Sequence, residues 1–147
     1  MGVFNAINIS ASGMSAERIR MDIISKNIAN ANTTRTSSGL PYRRKMVVFK
    51  EKNNNKPFSY YLSEYSRKSL NKQGVKISAI IEDKSPFKKV YEPGHPDADK
   101  DGYVLMPNVE VVKEMVDMIA ASRAYEANIT AINSSKTMAM KALEIGR

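Results

Sequence analysis

The sequence predicts an α+β protein in which long N- and C-terminal helices pair as an antiparallel, coiled-coil-like stem and a small β-rich, irregular middle portion stands between them. Three observations carry this. Apolar residues recur every seven positions near the start of the chain, at Ile7, Met14, Met21 and Ile28. They do so again near its end, where steps of four and three from Val111 pass through Met115, Met118, Tyr125, Ile129, Ile132 and Leu143. Residues 35–107, between the two, have short apolar runs separated by Asn, Gly and Pro. Two seven-residue periods at opposite ends of one chain are what a helix pair needs to bury a common seam.

The first helix is expected over residues 5–31. Ala11, Ile24 and Ala31 fill the side set by the four-residue row, and Ile19 and Ile23 widen it. Gly13 falls in the first half and costs roughly 1 kcal/mol relative to Ala inside a helix, so the opening turns need something packed on them to be ordered. Asn30, Asn32, Thr33 and Thr34 compete with the helix for backbone hydrogen bonds, and the chain passes into a Thr/Ser/Gly/Pro stretch over 33–41. The helix should stop near Ala31.

The middle reads as short strands. Met46-Val47-Val48-Phe49 is a compact apolar run, residues 58–62 are aromatic, and residues 75–81 alternate well enough for a half-buried strand. Residues 51–57, with three consecutive Asn, form a loop, and residues 64–73 carry no pattern. Lys89-Val90-Tyr91 and Tyr103-Val104-Leu105-Met106 flank a Pro/Gly turn over 92–102 and suggest two further strands. The expected division is therefore residues 1–34 with 108–147 as a helical domain, and 35–107 as a β-rich domain with a flexible loop near 51–74.

The second helix is expected over 108–147. Pro107 does not follow a helical residue comfortably, Asn108 is a good N-cap, Glu110 sits in the first turn and Gly146 closes the run. A helix of that length spans roughly 57 Å at 1.5 Å per residue, more than a compact domain of this size needs. Val112, Val116 and Ile119 form a neighbouring apolar row, and Ala120, Ala121, Ala124, Ala127 and Ala131 keep much of the remaining surface small. One partner helix does not cover all of this. An ordinary bundle core explains one stripe, and self-assembly explains the surplus. The isolated chain is accordingly expected to be only partly folded until neighbours arrive.

Composition narrows the chemistry. With 147 residues and no cysteine, the chain offers no disulfide framework, thiolate metal site or thiol nucleophile. The start has no basic segment followed by an apolar one, and no run reaches eighteen apolar residues, so neither a Sec-type leader nor a membrane span is expected. The net charge of +8 is concentrated, since residues 35–76 hold 11 Lys/Arg against 2 Glu. Tyr42, Phe49, Phe58, Tyr60, Tyr61 and Tyr65 interleave with those cations, the composition of a basic nucleic-acid-binding module, which is the alternative reading. No reader motif accompanies it, and a steep salt dependence of DNA binding would distinguish it.

No catalytic, cofactor or metal site is expected. Asp97-Ala98-Asp99-Lys100-Asp101-Gly102 copies the first half of a calcium loop, but Asn108 stands where the bidentate Glu belongs, and Pro93 and Pro96 preclude an entering helix. His95 is the only histidine and has no nucleophile or metal context. Glu82 and Asp83 have no third group that would make them an acid/base pair. No small-molecule substrate is implied.

Specific strings carry a resemblance. Ala11-Ser12-Gly13-Met14-Ser15-Ala16-Glu17-Arg18 with Ile28-Ala29-Asn30-Ala31-Asn32-Thr33-Thr34 resembles the shared opening of the flagellar basal-body rod proteins. Pro41-Tyr42-Arg43-Arg44-Lys45, Pro93-Gly94-His95-Pro96-Asp97-Ala98-Asp99, Pro107-Asn108-Val109 and Glu114-Met115-Val116-Asp117-Met118-Ile119, running on into Ser122-Arg123-Ala124-Tyr125-Glu126-Ala127-Asn128, resemble further parts of that family. The likeness covers about two thirds of the chain; residues 51–74 match nothing in it. It implies a structural subunit of the flagellar rod, exported without a cleaved signal peptide by the flagellar type III route and assembled in the periplasmic space. It also implies terminal helices lining an inner tube, and as partners copies of the chain in a helical rod, the other rod proteins, and the membrane ring or export-gate adaptor beneath. No nucleic acid is among them.

Overall fold

The computed structural model describes residues 3–52 and 74–145. The aromatic run 58–62, the patternless 64–73 and nearly all of the loop 51–74 lie outside the described residues. The elements in order are α1 (Val3–Ala29), β1 (Lys45–Glu51), β2 (Val75–Glu82), β3 (Lys88–Tyr91), β4 (Tyr103–Met106) and α2 (Val111–Ile145). Among the described residues no helix is long and apolar enough to cross a membrane.

The terminal helices pair, and they are antiparallel. Asn27 meets Glu114 at one end, and Gly13 meets Asn128 fourteen residues further along each helix. A Cβ on Gly13 would lie 3.0 Å from Asn128 Oδ1, so the glycine that weakens α1 as an isolated helix lets α2 come close. Continued in the same register, the described part of α1 ends opposite Met138. The last seven residues of α2 run on past it, and Leu143 and Ile145 are exposed there.

α1 ends as expected from its Asn and Thr residues. The Asn30 side chain donates back to the Lys26 carbonyl (2.9 Å), and Thr33 Oγ1 donates to Asn30 Oδ1 (3.2 Å). α2, by contrast, begins at Val111 rather than Asn108. Asn108 does not cap it. Its Oδ1 accepts from the Arg44 backbone N–H (2.9 Å) and its Nδ2 donates to Ser85 Oγ (2.9 Å), so the side chain ties the β segments together. The first helical turn closes instead with the Glu114 N–H on the Glu110 carbonyl (3.0 Å).

β1 and β2 form an antiparallel ribbon, from Lys45 opposite Glu82 to Glu51 opposite Val75, with a register shift between Val48 and Phe49. The ribbon lies along α1. Val75 N–H donates to Ser12 Oγ (3.0 Å), and Gly74 passes so near Ser12 that no Cβ fits. β3 and β4 form a separate antiparallel hairpin in which Tyr91 and Tyr103 stack edge to face at 5.3 Å. Among the described residues the buried hydrophobic side chains are Ala16, Ile23, Ile24, Val104 and Ala121. A core this small, two of its five members alanines, cannot account for the apolar surface the helices carry.

Candidate assembly surface and the junction that positions it

Where the end of α1, the start of β1 and the start of α2 converge, two of the most completely buried side chains are polar. Asn27 and Glu114 are each 1 % exposed. Asn27 Nδ2 donates to the Lys45 carbonyl (2.8 Å) and to Glu114 Oε2 (2.9 Å), while its Oδ1 accepts from the Lys45 N–H (3.0 Å) and the Tyr42 hydroxyl (3.0 Å). Its full hydrogen-bonding capacity is used. Glu114 Oε1 accepts from Arg44 Nε at 2.5 Å, and Arg44 Nη2 reaches Asp117 Oδ2 at 3.3 Å. The Arg44 backbone carbonyl accepts from the Asp83 N–H (2.8 Å), and Arg43 donates to the Asp83 carbonyl (3.0 Å) while lying over the Phe87 ring.

These groups perturb one another. Burial, and then the Glu114 and Glu82 carboxylates, push the Tyr42 phenol above its ordinary value of 10.0. Asp83 is held below its ordinary 3.8, first by the Ser85 backbone N–H and then by the Ser85 side chain; burial opposes this in part, and Arg44 and Lys113 add to it. A buried carboxylate robbed of its partner costs roughly 3–5 kcal/mol, so the junction fixes the register of the helices strongly.

The contact face of each helix lies one residue away from the apolar row read in the sequence. On α2 the row against α1 is Glu114, Ala121, Asn128 and Ser135, flanked by Met118, Tyr125 and Ile132, which are half-buried. Ile129 is half-buried too, whereas Val111, Met115 and Leu143 are exposed. On α1 the row through Gly13 and Asn27 faces α2, and Ile7, Met14, Met21 and Ile28 sit beside it, each half-buried. A one-residue shift of one row, with the other kept, turns the seam by about 50° at 3.6 residues per turn. The signal that would have found it is the seven-residue repeat of small and polar residues at 114, 121, 128 and 135, because a polar side chain on a seam commonly sets register.

Turning the seam frees an apolar face. Val112 (76 % exposed), Val116 (61 %), Met115 and Ile119 are exposed together on the side of α2 turned away from the Glu114/Ala121 row. Phe4 at the start of α1, and Met138, Met140 and Ile145 toward the end of α2, are exposed as well. The Asp97 turn is occupied by its own chain: Thr34 Oγ1 donates to Asp97 Oδ2 (2.8 Å) and Arg35 stands 3.7 Å from Oδ1. His95 Nδ1 accepts from the Asp97 N–H (3.1 Å) and shapes the same turn.

Two long paired helices with a largely small and polar contact row, and with the large apolar side chains Val112, Met115, Val116 and Ile119 on the far side of α2 uncovered among the described residues, define a structural subunit made to be packed among neighbours. Comparison with known proteins specifies which. Residues 7–35 match the model of the flagella basal body rod protein family, and residues 100–145 that of the flagellar basal body rod FlgEFG protein C-terminal domain. The chain is 50 % identical to the flagellar basal-body rod protein FlgC of Borreliella burgdorferi, covering 99 % of this chain and 98 % of that one. It is 49 % identical to FlgC of Bacillus subtilis over the whole of both chains, and 40 % identical to FlgC of Salmonella typhimurium, again over the whole of both. The chain belongs to the flagellar basal-body rod protein family, on its FlgC branch, and is a structural subunit of the rod.

Proposed function

We propose that the chain builds the proximal rod by packing its helix pair against copies of itself and against the other rod proteins, and that it does so without catalysis. The observation that carries this is the uncovered face Val112, Met115, Val116 and Ile119 on α2, opposite the intramolecular seam. Isolated monomers seldom leave so contiguous a row of large apolar side chains in water. The assembly surface takes in the half-buried Ile7, Met14, Met21, Ile28, Met118, Tyr125, Ile129 and Ile132 together with the exposed Val111, Met115 and Leu143, whose burial neighbours complete.

In this reading the chain passes through the flagellar type III export apparatus and assembles in the periplasmic space, with the membrane ring or its export-gate adaptor beneath it. The helices face the inner tube, and the β1–β2 ribbon and β3–β4 hairpin lie outside. The test is glutamate at Ile119 in cells that carry no other copy. The reading requires that the chain be exported and that no rod form; a normal rod would refute it.

A further inference from the structure

Three chain segments meet at the junction, and its bonds are distributed so that no two of them satisfy every buried group, although α1 and the lead-in to β1 share three of the four bonds of Asn27. α1 takes one oxygen of Glu114 through Asn27, and Arg44 at the mouth of β1 takes the other. Asn27 makes its remaining three bonds to Tyr42 and to the Lys45 backbone, in the segment that leads into β1. With that segment undocked, Asn27 keeps one bond of its four and the Glu114 carboxylate loses its cation. With α2 undocked, Arg44 loses Glu114 and Asp117 together and keeps Asp83, at 3.8 Å. Further along, the central row of the helix contact is small or polar, namely Ala16, Ala121, Gly13 against Asn128, and Ser135, and the larger Met118, Tyr125 and Ile132 beside it are half-buried. Apolar burial along this stretch is only partial, so the junction adds to it rather than duplicating it.

We propose that Asn27 and Glu114 form a coincidence latch: the helix pair closes only when the start of β1 is docked between them, so the helices and the β1–β2 ribbon order and open as one unit. The latch lies within a single chain, so in a chain only partly folded without neighbours these are the segments that stay ordered. Asn27 and Glu114 are its positioning residues, since each holds Arg44 or Lys45 in place for the other. Beyond the Gly13/Asn128 contact the helices lie outside the latch, and their far ends open separately.

Native-state hydrogen exchange on the isolated full-length chain tests this. In Glu114→Gln, amides of β1 and β2 and those of α2 near 114–121 should exchange faster by a common factor of about tenfold or more, as expected when a charged hydrogen bond becomes a neutral one. Tyr42→Phe, which removes one of the four bonds of Asn27, should produce a smaller common factor. Asn27→Asp sets a second carboxylate against Glu114 and should open the unit further. Combined with Glu114→Gln it should recover part of that loss, because the glutamine amide then donates to the aspartate. Ribbon amides that keep their wild-type rates while α2 loosens would overturn the latch, as would a wild-type chain with no protected amide in these segments. Should Glu114→Gln abolish all protection, Tyr42→Phe decides: equal factors in ribbon and helix support the latch, and loosening of the ribbon alone overturns it.

Discussion

Asn27 and Glu114, 87 positions apart in the chain, meet through a 2.9 Å hydrogen bond, and both are almost wholly enclosed. Replacing Asn27 with Ala strips a partner from Glu114, from the Tyr42 hydroxyl and from both backbone groups of Lys45. Each unsatisfied buried polar group costs roughly 1–3 kcal/mol, and some of these would find water, so the net loss should be about 3 kcal/mol. The urea midpoint of the isolated chain, read at unchanged slope, measures it. A loss under about 1 kcal/mol would mean the junction is wetter than its geometry implies.

Gly13 and Asn128 set how closely the helices approach. A leucine at 13 has to displace the Asn128 side chain, which is itself tied to the Ala124 carbonyl at 2.9 Å. Overpacking of this kind costs typically about 1–3 kcal/mol. Gly13→Leu should lower the thermal midpoint, and Asn128→Ala added to it should restore most of the loss, because it vacates the volume the leucine needs. No gain in midpoint on adding Asn128→Ala to Gly13→Leu would place the close approach elsewhere.

Stability should fall at both extremes of pH, for reasons that are separable. The Tyr42 phenol has its folded pKa raised, so its contribution is complete below about pH 10 and is lost as pH rises through that higher folded value. Asp83 has its folded pKa lowered, so its contribution is present above its ordinary 3.8 and is lost as pH falls through the lower folded value. Thermal midpoints measured across pH should therefore drop less steeply on the alkaline side in Tyr42→Phe and on the acid side in Asp83→Asn. Unchanged limbs in either variant would remove that residue from the linkage.

What was legible in the sequence follows from what periodicity reports. The repeats at Ile7 to Ile28 and from Val111 onward identify two helices and their pairing, because only a helix brings every seventh residue to one side. The alternation over 75–81 and the run at 46–49 likewise mark the two strands of the ribbon. The same repeats reach only one flank of the intramolecular contact, through Met118, Tyr125 and Ile132. They register all the apolar surface of a helix, whereas within one chain the contact row carries Glu114, Ala121, Asn128 and Ser135. Asn108 misled for a related reason. An Asn after Pro is a fair cap by local rules, and only the fold brings Arg44 and Ser85 close enough to claim its side chain. The pairing of Asn27 with Glu114 has no local signature at all.

Export and assembly should respond to different parts of the chain. Ile132 is half-buried beside the row that faces α1, and neighbours in the rod should complete its burial. Glutamate there would bury an unpartnered charge at a cost of several kcal/mol. Lys141 is exposed and pairs with the likewise exposed Glu144 at 2.7 Å, so Lys141→Glu should change stability by about half a kcal/mol or less. Cells carrying only Ile132→Glu should export the chain, build no rod and not swim, while Lys141→Glu cells swim. Normal swimming with Ile132→Glu would remove it from the buried surface, and loss of export would give α2 a role in secretion as well.

The most direct measurement is a density map of the assembled basal body with this chain placed in it. Assembly through the free face of the helix pair predicts that Val112, Met115, Val116 and Ile119 are covered by side chains of an adjoining subunit, while Asn27 still meets Glu114 within each chain. A map in which that row faces solvent along the whole rod, with neighbouring subunits touching only the β1–β2 ribbon or the β3–β4 hairpin, would contradict it.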